Sequence, residues 1–267
     1  MKKLLFAVFL IILLAAFSFP ILNGHIAENE NELLNRQRAV QQQKDISALY
    51  RDACDKLSEG NYSEAVILSD KCLDMLSTEN DTKLYAQVLM NKALSLYGAG
   101  EYSASQNICN VLTEQSRPEA YLLKAQNSFM LGDTASEEDS LIRYAEITGD
   151  KSRLNRAGEL AMNRGDYSEA IGYFNEYDAS CLSGTSETDE AVFRRAVCYM
   201  STGDYVRAAD DLRRCEVNGI ETDEAHFYLA VCLMKLGNTQ EAESAFEKCI
   251  AEGSHTEEVR ELIGLCS

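Results

Sequence analysis

The chain has 267 residues, no tryptophan, only two prolines and a formal net charge of −18. An acidic excess of that size speaks against nucleic acid and anionic membrane surfaces as ligands. No long alternating apolar and polar run and no Asn-Gly hairpin signal occurs, so a sheet architecture is not expected.

In chain order, Lys2 and Lys3 precede an unbroken apolar run from Leu4 to Phe17 that continues to Leu22. Residues 1–22 have two readings. As a cleaved signal peptide, the best small-residue site is Ala16-Phe17-Ser18, followed unfavourably by Phe19 and Pro20. As an uncleaved anchor, the run offers about 19 residues, enough to cross the hydrocarbon core. The anchor is the favoured reading. No cysteine follows the run, so a bacterial lipoprotein site is missing. Lys2 and Lys3 would stay in the cytoplasm and place the rest of the chain outside it, although Arg36, Arg38 and Lys44 beyond the run weaken that orientation. Residues 23–45 read as a polar spacer with too few repeating apolar positions for a coiled coil. Residues 1–44 hold five Lys/Arg against three Glu, which leaves about −20 for the remainder. Most of that charge is expected on the solvated outer faces of helices.

From residue 46 onward a phrase recurs. Glycines end it at Gly60, Gly100, Gly132, Gly165, Gly203 and Gly237, at intervals of 40, 32, 33, 38 and 34 residues. Seven residues before each stands a small residue: Ala53, Ala93, Ala125, Gly158, Ala196 and Ala230. Two residues after the glycine comes Tyr62, Tyr102, Tyr167 or Tyr205; five after it comes Ala65, Ala170, Ala208 or Ala242. Apolar residues on both sides recur at helical spacing, so each copy predicts two helices joined at the glycine. The small residues imply close helix approach, with Gly158 expected to face Ala170. Ser116 to Glu119, Thr134 to Glu137 and Ser254 to Glu257 have the spacing of reciprocal N-terminal caps, and Pro118 suits a first helical turn. Residues 77–82 and 178–188 read as insertions, the second as a flexible loop. His255 to Ser267 repeats only the first-helix phrase and is expected to cap the array.

The phrase resembles the tetratricopeptide repeat family, whose pattern Gly158, Gly165-Asp166-Tyr167, Ala170 and Phe174 match closely. Gly203-Asp204-Tyr205 with Ala208, and Gly237-Asn238 with Ala242 and Phe246, match well. The copy at Gly132 departs most, with Thr134 for the aromatic and Glu137 for the alanine. The resemblance spans about residues 46–267. It implies an all-α fold: a right-handed α-solenoid of about six helix pairs plus a C-terminal capping helix. It also implies a non-catalytic scaffold that binds a peptide or helix of another protein along a concave face lined by first helices.

The positions ten, six and three residues before each turn glycine would form that stripe. Tyr97, Phe129, Asn155, Arg156, Phe193, Arg194, Met200, Phe227 and Met234 are the candidate partner-binding residues. Arg156 and Arg194 could together grip a carboxylate. The Lys/Asn clamp by which the family holds C-terminal carboxylates is not matched at Leu94, Gln126 and Phe193. The other open readings are self-association in an envelope complex, with residues 23–45 filling the groove, and a cytoplasm-facing adaptor.

Nine cysteines occur, six of them (Cys181, Cys198, Cys215, Cys232, Cys249, Cys266) 17 residues apart. That spacing would place neighbours at different heights of a stack, so they read as small core residues, not disulfides; Cys54 and Cys72 are the pair to check. No Cys-x-x-Cys, phosphate loop or nucleophile elbow appears, and no histidine stands at ligand spacing. No metal, cofactor or catalytic site is expected.

Overall fold

The computed structural model describes the backbone of residues 2–76, 82–181, 186–219, 222–252 and 259. Side chains are described from residue 30, except in 77–81, 182–188, 220–223, 252–258 and beyond 259. The described residues contain helices and no strands. One compact unit ends at Ala99 and a second begins at Gly100. The first holds α1 (Lys2–Ser58), α2 (Tyr62–Met75) and α3 (Thr82–Gly98). The second holds α4 (Tyr102–Thr113), α5 (Pro118–Leu131), α6 (Thr134–Thr148), α7 (Leu154–Arg164) and α8 (Tyr167–Ser180). It continues with α9 (Ser186–Thr202), α10 (Tyr205–Asn218), α11 (Thr222–Lys235) and α12 (Thr239–Glu252).

Each repeating glycine takes a left-handed conformation, with φ between 73° and 89°. At Gly165 the φ of 89° would strain any side chain, and the turn is closed by Gly165 N–H donating to Met162 O and Asp166 N–H to Ala161 O. The second of these bonds recurs from Asn61, Asp133, Asp204 and Asn238 to the carbonyl five residues back. The small residues seven positions earlier are all buried. Within each unit, consecutive helices pack in antiparallel succession; α1 also touches α3, and α7 touches α9. Phe174, Leu212 and Phe246, nine residues after their glycines, are fully buried in the second unit's core clusters.

Gly158 meets a different partner from the one its spacing suggested. A Cβ there would lie 2.6 Å from the ring of Phe174, so the ring, not Ala170, occupies the space at the crossing. The caps also differ. Asp133, not Thr134, caps α6 by accepting from Ser136 N–H. Arg117 precedes α5, with Pro118 in the first turn and Ser116 at φ 53°. The expected cap at Ser254 and the capping helix lie outside the described residues, apart from Val259, which is buried in the core.

The stretch 178–188 is shorter as a loop than the sequence suggests. Asp178 to Ser180 complete α8 and Ser186 opens α9. Asp178 is held there by ion pairs. Its carboxylate accepts from Arg214 at 2.9 and 2.9 Å and from Arg195 at 3.1 Å. Arg195, 8% exposed, also binds Asp211 with two bonds of 2.7 and 2.8 Å and Asn175 at 2.9 Å. This network joins α8, α9 and α10. Burial alone would raise the Asp178 carboxyl, but the hydrogen bonds and charges of Arg214 and Arg195 outweigh it and hold it below its ordinary value.

Described cysteines, Cys54 and Cys72 included, carry free thiols. Burial pushes the thiols of Cys198 and Cys232 up to about 11 and that of Cys215 to about 12, which suits inert core residues.

Helix α1 runs without a break from the N-terminal apolar run through residues 23–45 into the first repeat. Residues 30–45 are solvent-exposed along its length, so that part of the spacer does not fill a groove. No helix among the described residues is long and apolar enough to cross a membrane. The run Leu4–Leu22 lies outside that statement, since its side chains are not among those described.

Two outcomes are expected. Gly158→Ala, which must displace the fully buried Phe174 ring, lowers urea-unfolding stability by about 1–3 kcal/mol. Because the folded Asp178 carboxyl is depressed, its stabilisation is full above the usual carboxylate range near pH ~4 and is lost as pH falls through its folded value. Asp178→Asn therefore flattens the acid limb of a melting-temperature profile between pH 7 and 3, and an unchanged slope would show that the network does not carry that limb.

Candidate partner-binding face

On α3, α5, α9 and α11 the positions twelve and five residues before the turn glycine are buried, as is Leu160 on α7, whereas Ala48 and Asp55 at those positions on α1 are exposed; the positions ten, six and three before each turn glycine stay at least partly exposed. In the second unit this exposed stripe runs over α5, α7, α9 and α11. Two of these first helices, α7 and α9, also touch each other directly.

The apolar end of the stripe is an aromatic cluster. Phe193 lies 6.0 Å from Tyr228, and Phe227 lies 5.7 Å from Tyr228 and 6.4 Å from Phe246, centroid to centroid. Met200, Val231 and Met234 pack beside it, half-buried against the core. The structure thus brings Phe193, Met200, Phe227 and Met234 onto one core cluster. Tyr228 joins them although its register gave no sign; only its place between Phe227 and the preceding repeat could have flagged it. Phe129 is 60% exposed, with Arg156 over its ring at 5.6 Å. Tyr97 is half-buried on α3, in the first unit.

The polar centre does not form the expected carboxylate grip. Arg156 donates to Glu137 at 2.8 and 3.4 Å and to Glu159 at 3.0 Å. Arg194 donates to Glu190 at 2.6 Å and stands 3.4 Å from Glu159. Both guanidinium groups are already neutralised by the protein's own acids, so neither presents a free fork to a ligand carboxylate. Hydrogen bonding to Glu137 is the main reason the Arg156 guanidinium is held even more firmly protonated than usual. Two buried polar atoms here lack hydrogen-bond partners, Asn155 Oδ1 and Arg194 Nη1; the latter is in ion-pair range of Glu159 without hydrogen-bond geometry.

Glu137 explains the departure of the Gly132 copy from the pattern. It occupies the position where Ala65, Ala170, Ala208 and Ala242 are buried, and it is itself only 5% exposed. Arg156 from the next first helix neutralises it. Beside it Glu138, equally buried, pairs with Arg164. The second helix α6 therefore forms in full despite the missing alanine.

Charge separates the two sides of the second unit. Helix α6 carries four acids and one base, α8 three acids and no base, α12 four acids and one base. Helix α5 carries one acid and one base, α7 one acid and two bases. The first-helix face is close to neutral. No group of three or more potential metal ligands occurs among the described residues, and His226, buried, stands 3.2 Å from Glu216.

The turn geometry, the small-residue seams and the alternating helix pairs have one common description. The fold is that of a tetratricopeptide repeat array. Residues 163–249 match the family model described as anaphase-promoting complex, cyclosome, subunit 3. That is about a third of the chain. No curated protein matches it in sequence. Among solved structures, it is similar to a chain of the Naa15/Naa10 complex bound to HypK-THB, at 13% identity and a TM-score of 0.60. That likeness covers 83% of this chain but only 34% of the other. It is also similar to MamA of AMB-1, at 14% identity and a TM-score of 0.52, over 65% of this chain and 91% of that one. A tetratricopeptide repeat protein from Parabacteroides merdae aligns over 84% of this chain and 99% of its own, at 14% identity and a TM-score of 0.48.

Removing one partner of the Glu137–Arg156 pair should cost more than removing both. Arg156→Ala strands the buried carboxylate and lowers stability by about 2 kcal/mol, whereas Glu137→Ala with Arg156→Leu restores the repeat's alanine and recovers most of the loss. Equal losses in denaturant titrations of the two variants would count against this account of the Gly132 copy.

Proposed function

We propose that this chain is a non-catalytic scaffold that holds another protein on the first-helix face of its second unit. The observation that carries this reading is the half-exposed stripe of Phe193, Met200, Phe227, Met234 and Phe129 on a nearly neutral face. Aromatics and methionines in such a setting supply contact area with little ordering cost and adapt to apolar side chains of a peptide or helix. The neutral face and the occupied arginines favour apolar contacts over charge as the basis of affinity. The fold supports the reading by analogy, since tetratricopeptide arrays serve as interaction modules and nothing in the sequence suggests turnover.

The apolar run at the start of α1 supports membrane tethering, with the repeats on the far side from Lys2 and Lys3. Fractionation with protease protection of the repeats in intact cells tests both the anchor and its orientation.

The groove itself is tested by crosslinking the tagged full chain in its native membranes beside a Phe193→Asp/Phe227→Asp variant. Loss of a partner from the variant, with unchanged circular dichroism, is expected. A partner set that is unchanged would assign binding to another surface.

A further inference from the structure

The joints between a second helix and the first helix after it share a register. Five residues after the turn glycine, α8 and α10 bury Ala170 and Ala208; five residues before the next turn glycine, α9 and α11 bury Cys198 and Cys232. At the α4–α5 joint the same positions are Ser105 and Asn127, both fully buried, and Ser128 beside Asn127 is fully buried too. This joint is therefore polar where the later ones are built from alanine and cysteine.

Its polar groups are only partly satisfied. Asn127 Nδ2 donates to Ser105 Oγ at 2.9 Å and to Cys109 Sγ at 3.7 Å, and Gln106 Nε2 donates to Ser128 Oγ at 3.0 Å. Asn127 Oδ1 and Gln106 Oε1 are buried acceptors without a hydrogen-bond partner. Parting the helices returns both oxygens to water, so the closed joint bears a desolvation cost that an apolar joint does not. The connection adds strain. Ser116, between α4 and α5, has φ 53° and is the one non-glycine residue with positive φ among the described residues.

Cys109 stands in this joint. It is fully buried, and burial pushes its thiol up to about 11. Cys215 and Cys232 are equally buried, but they belong to an apolar cluster with Ala208, Leu212 and Leu233. The second unit thus carries closed thiols in a polar joint and in an apolar one.

We propose that the second unit opens first at the α4–α5 joint: α4 parts from α5 while the later helices stay packed, and Cys109 comes within reach of solvent. The half-satisfied polar joint is a conformational device, a local opening of low free energy in a stack that otherwise opens only as a whole. It does not rest on the binding face proposed above.

The test is pulse labelling of the reduced full chain with N-ethylmaleimide under native conditions, read site by site by mass spectrometry. Cys109 is expected to react about tenfold or more faster than Cys215 and Cys232. Its rate changes little with urea below the unfolding transition, because a local opening exposes little surface, whereas the rates of Cys215 and Cys232 rise with global unfolding. Asn127→Leu, which removes one unpartnered oxygen and supplies the residue type that α7 has at Leu160, slows Cys109 labelling about fivefold or more. Ser105→Ala, which takes away an acceptor of Asn127, quickens it. If Asn127→Leu fails to fold by circular dichroism, Gln106→Met/Ser128→Ala, which removes the other unpartnered oxygen, is read in its place with the same slowing. Cys109 labelling no faster than that of Cys215 and Cys232 overturns the proposal, as does a rate that follows global unfolding or that these variants leave unchanged.

Discussion

The array depends on how closely two helices approach at each crossing. The small residue seven positions before the turn glycine removes the side chain that would hold the helices apart, and the left-handed glycine then reverses the chain within two residues. The closest approach shows the constraint best. At Gly158 the space a methyl group would need is filled by the Phe174 ring, which is fully buried. Turn and seam act together: without the tight reversal the seam residues would not face one another, and without the seam the reversal would bring bulky helices into collision.

Between repeats, the joints combine apolar packing with paired charge. Buried ion pairs are weak evidence for stability, because desolvation offsets most of the Coulomb gain. In Lys92–Asp70, Arg156–Glu137, Arg164–Glu138 and Arg195–Asp178 the base stands on the first helix and the acid on the second helix before it, a polarity that suits a different role. A first helix that presents bases and a preceding second helix that presents acids discourage two first helices, or two second helices, from pairing in the wrong order. The joint between α4 and α5 is neutral and carries a hydrogen bond instead, Asn127 donating to Ser105 at 2.9 Å. Register is thus specified twice, by shape at the seam and by chemistry at the joint.

The glycine register, the small residues and the helix pairs were legible because each is a local, periodic signal. The caps were less so: Ser/Thr-x-x-Glu spacing drew the eye to Thr134, while Asp133, one residue earlier, has the geometry. The Arg156 and Arg194 grip failed for a longer-range reason. Glu137 lies nineteen residues from Arg156 in sequence, so nothing local shows that the guanidinium is already occupied. The same distance hid why Glu137 is tolerated in an alanine slot. The reach of α8 to Ser180 was obscured by its polar tail, whose Asp178 is held by arginines seventeen and thirty-six residues away. Pairings across repeats are the part of such a chain that composition and periodicity do not carry.

Charge layout sets the physics of the proposed binding face. The acid excess sits on α6, α8 and α12, whereas the first helices α5 and α7 are close to neutral. A partner held on the proposed stripe would then be held by apolar area, through Phe193, Phe227, Met200 and Met234, with little dependence on ionic strength.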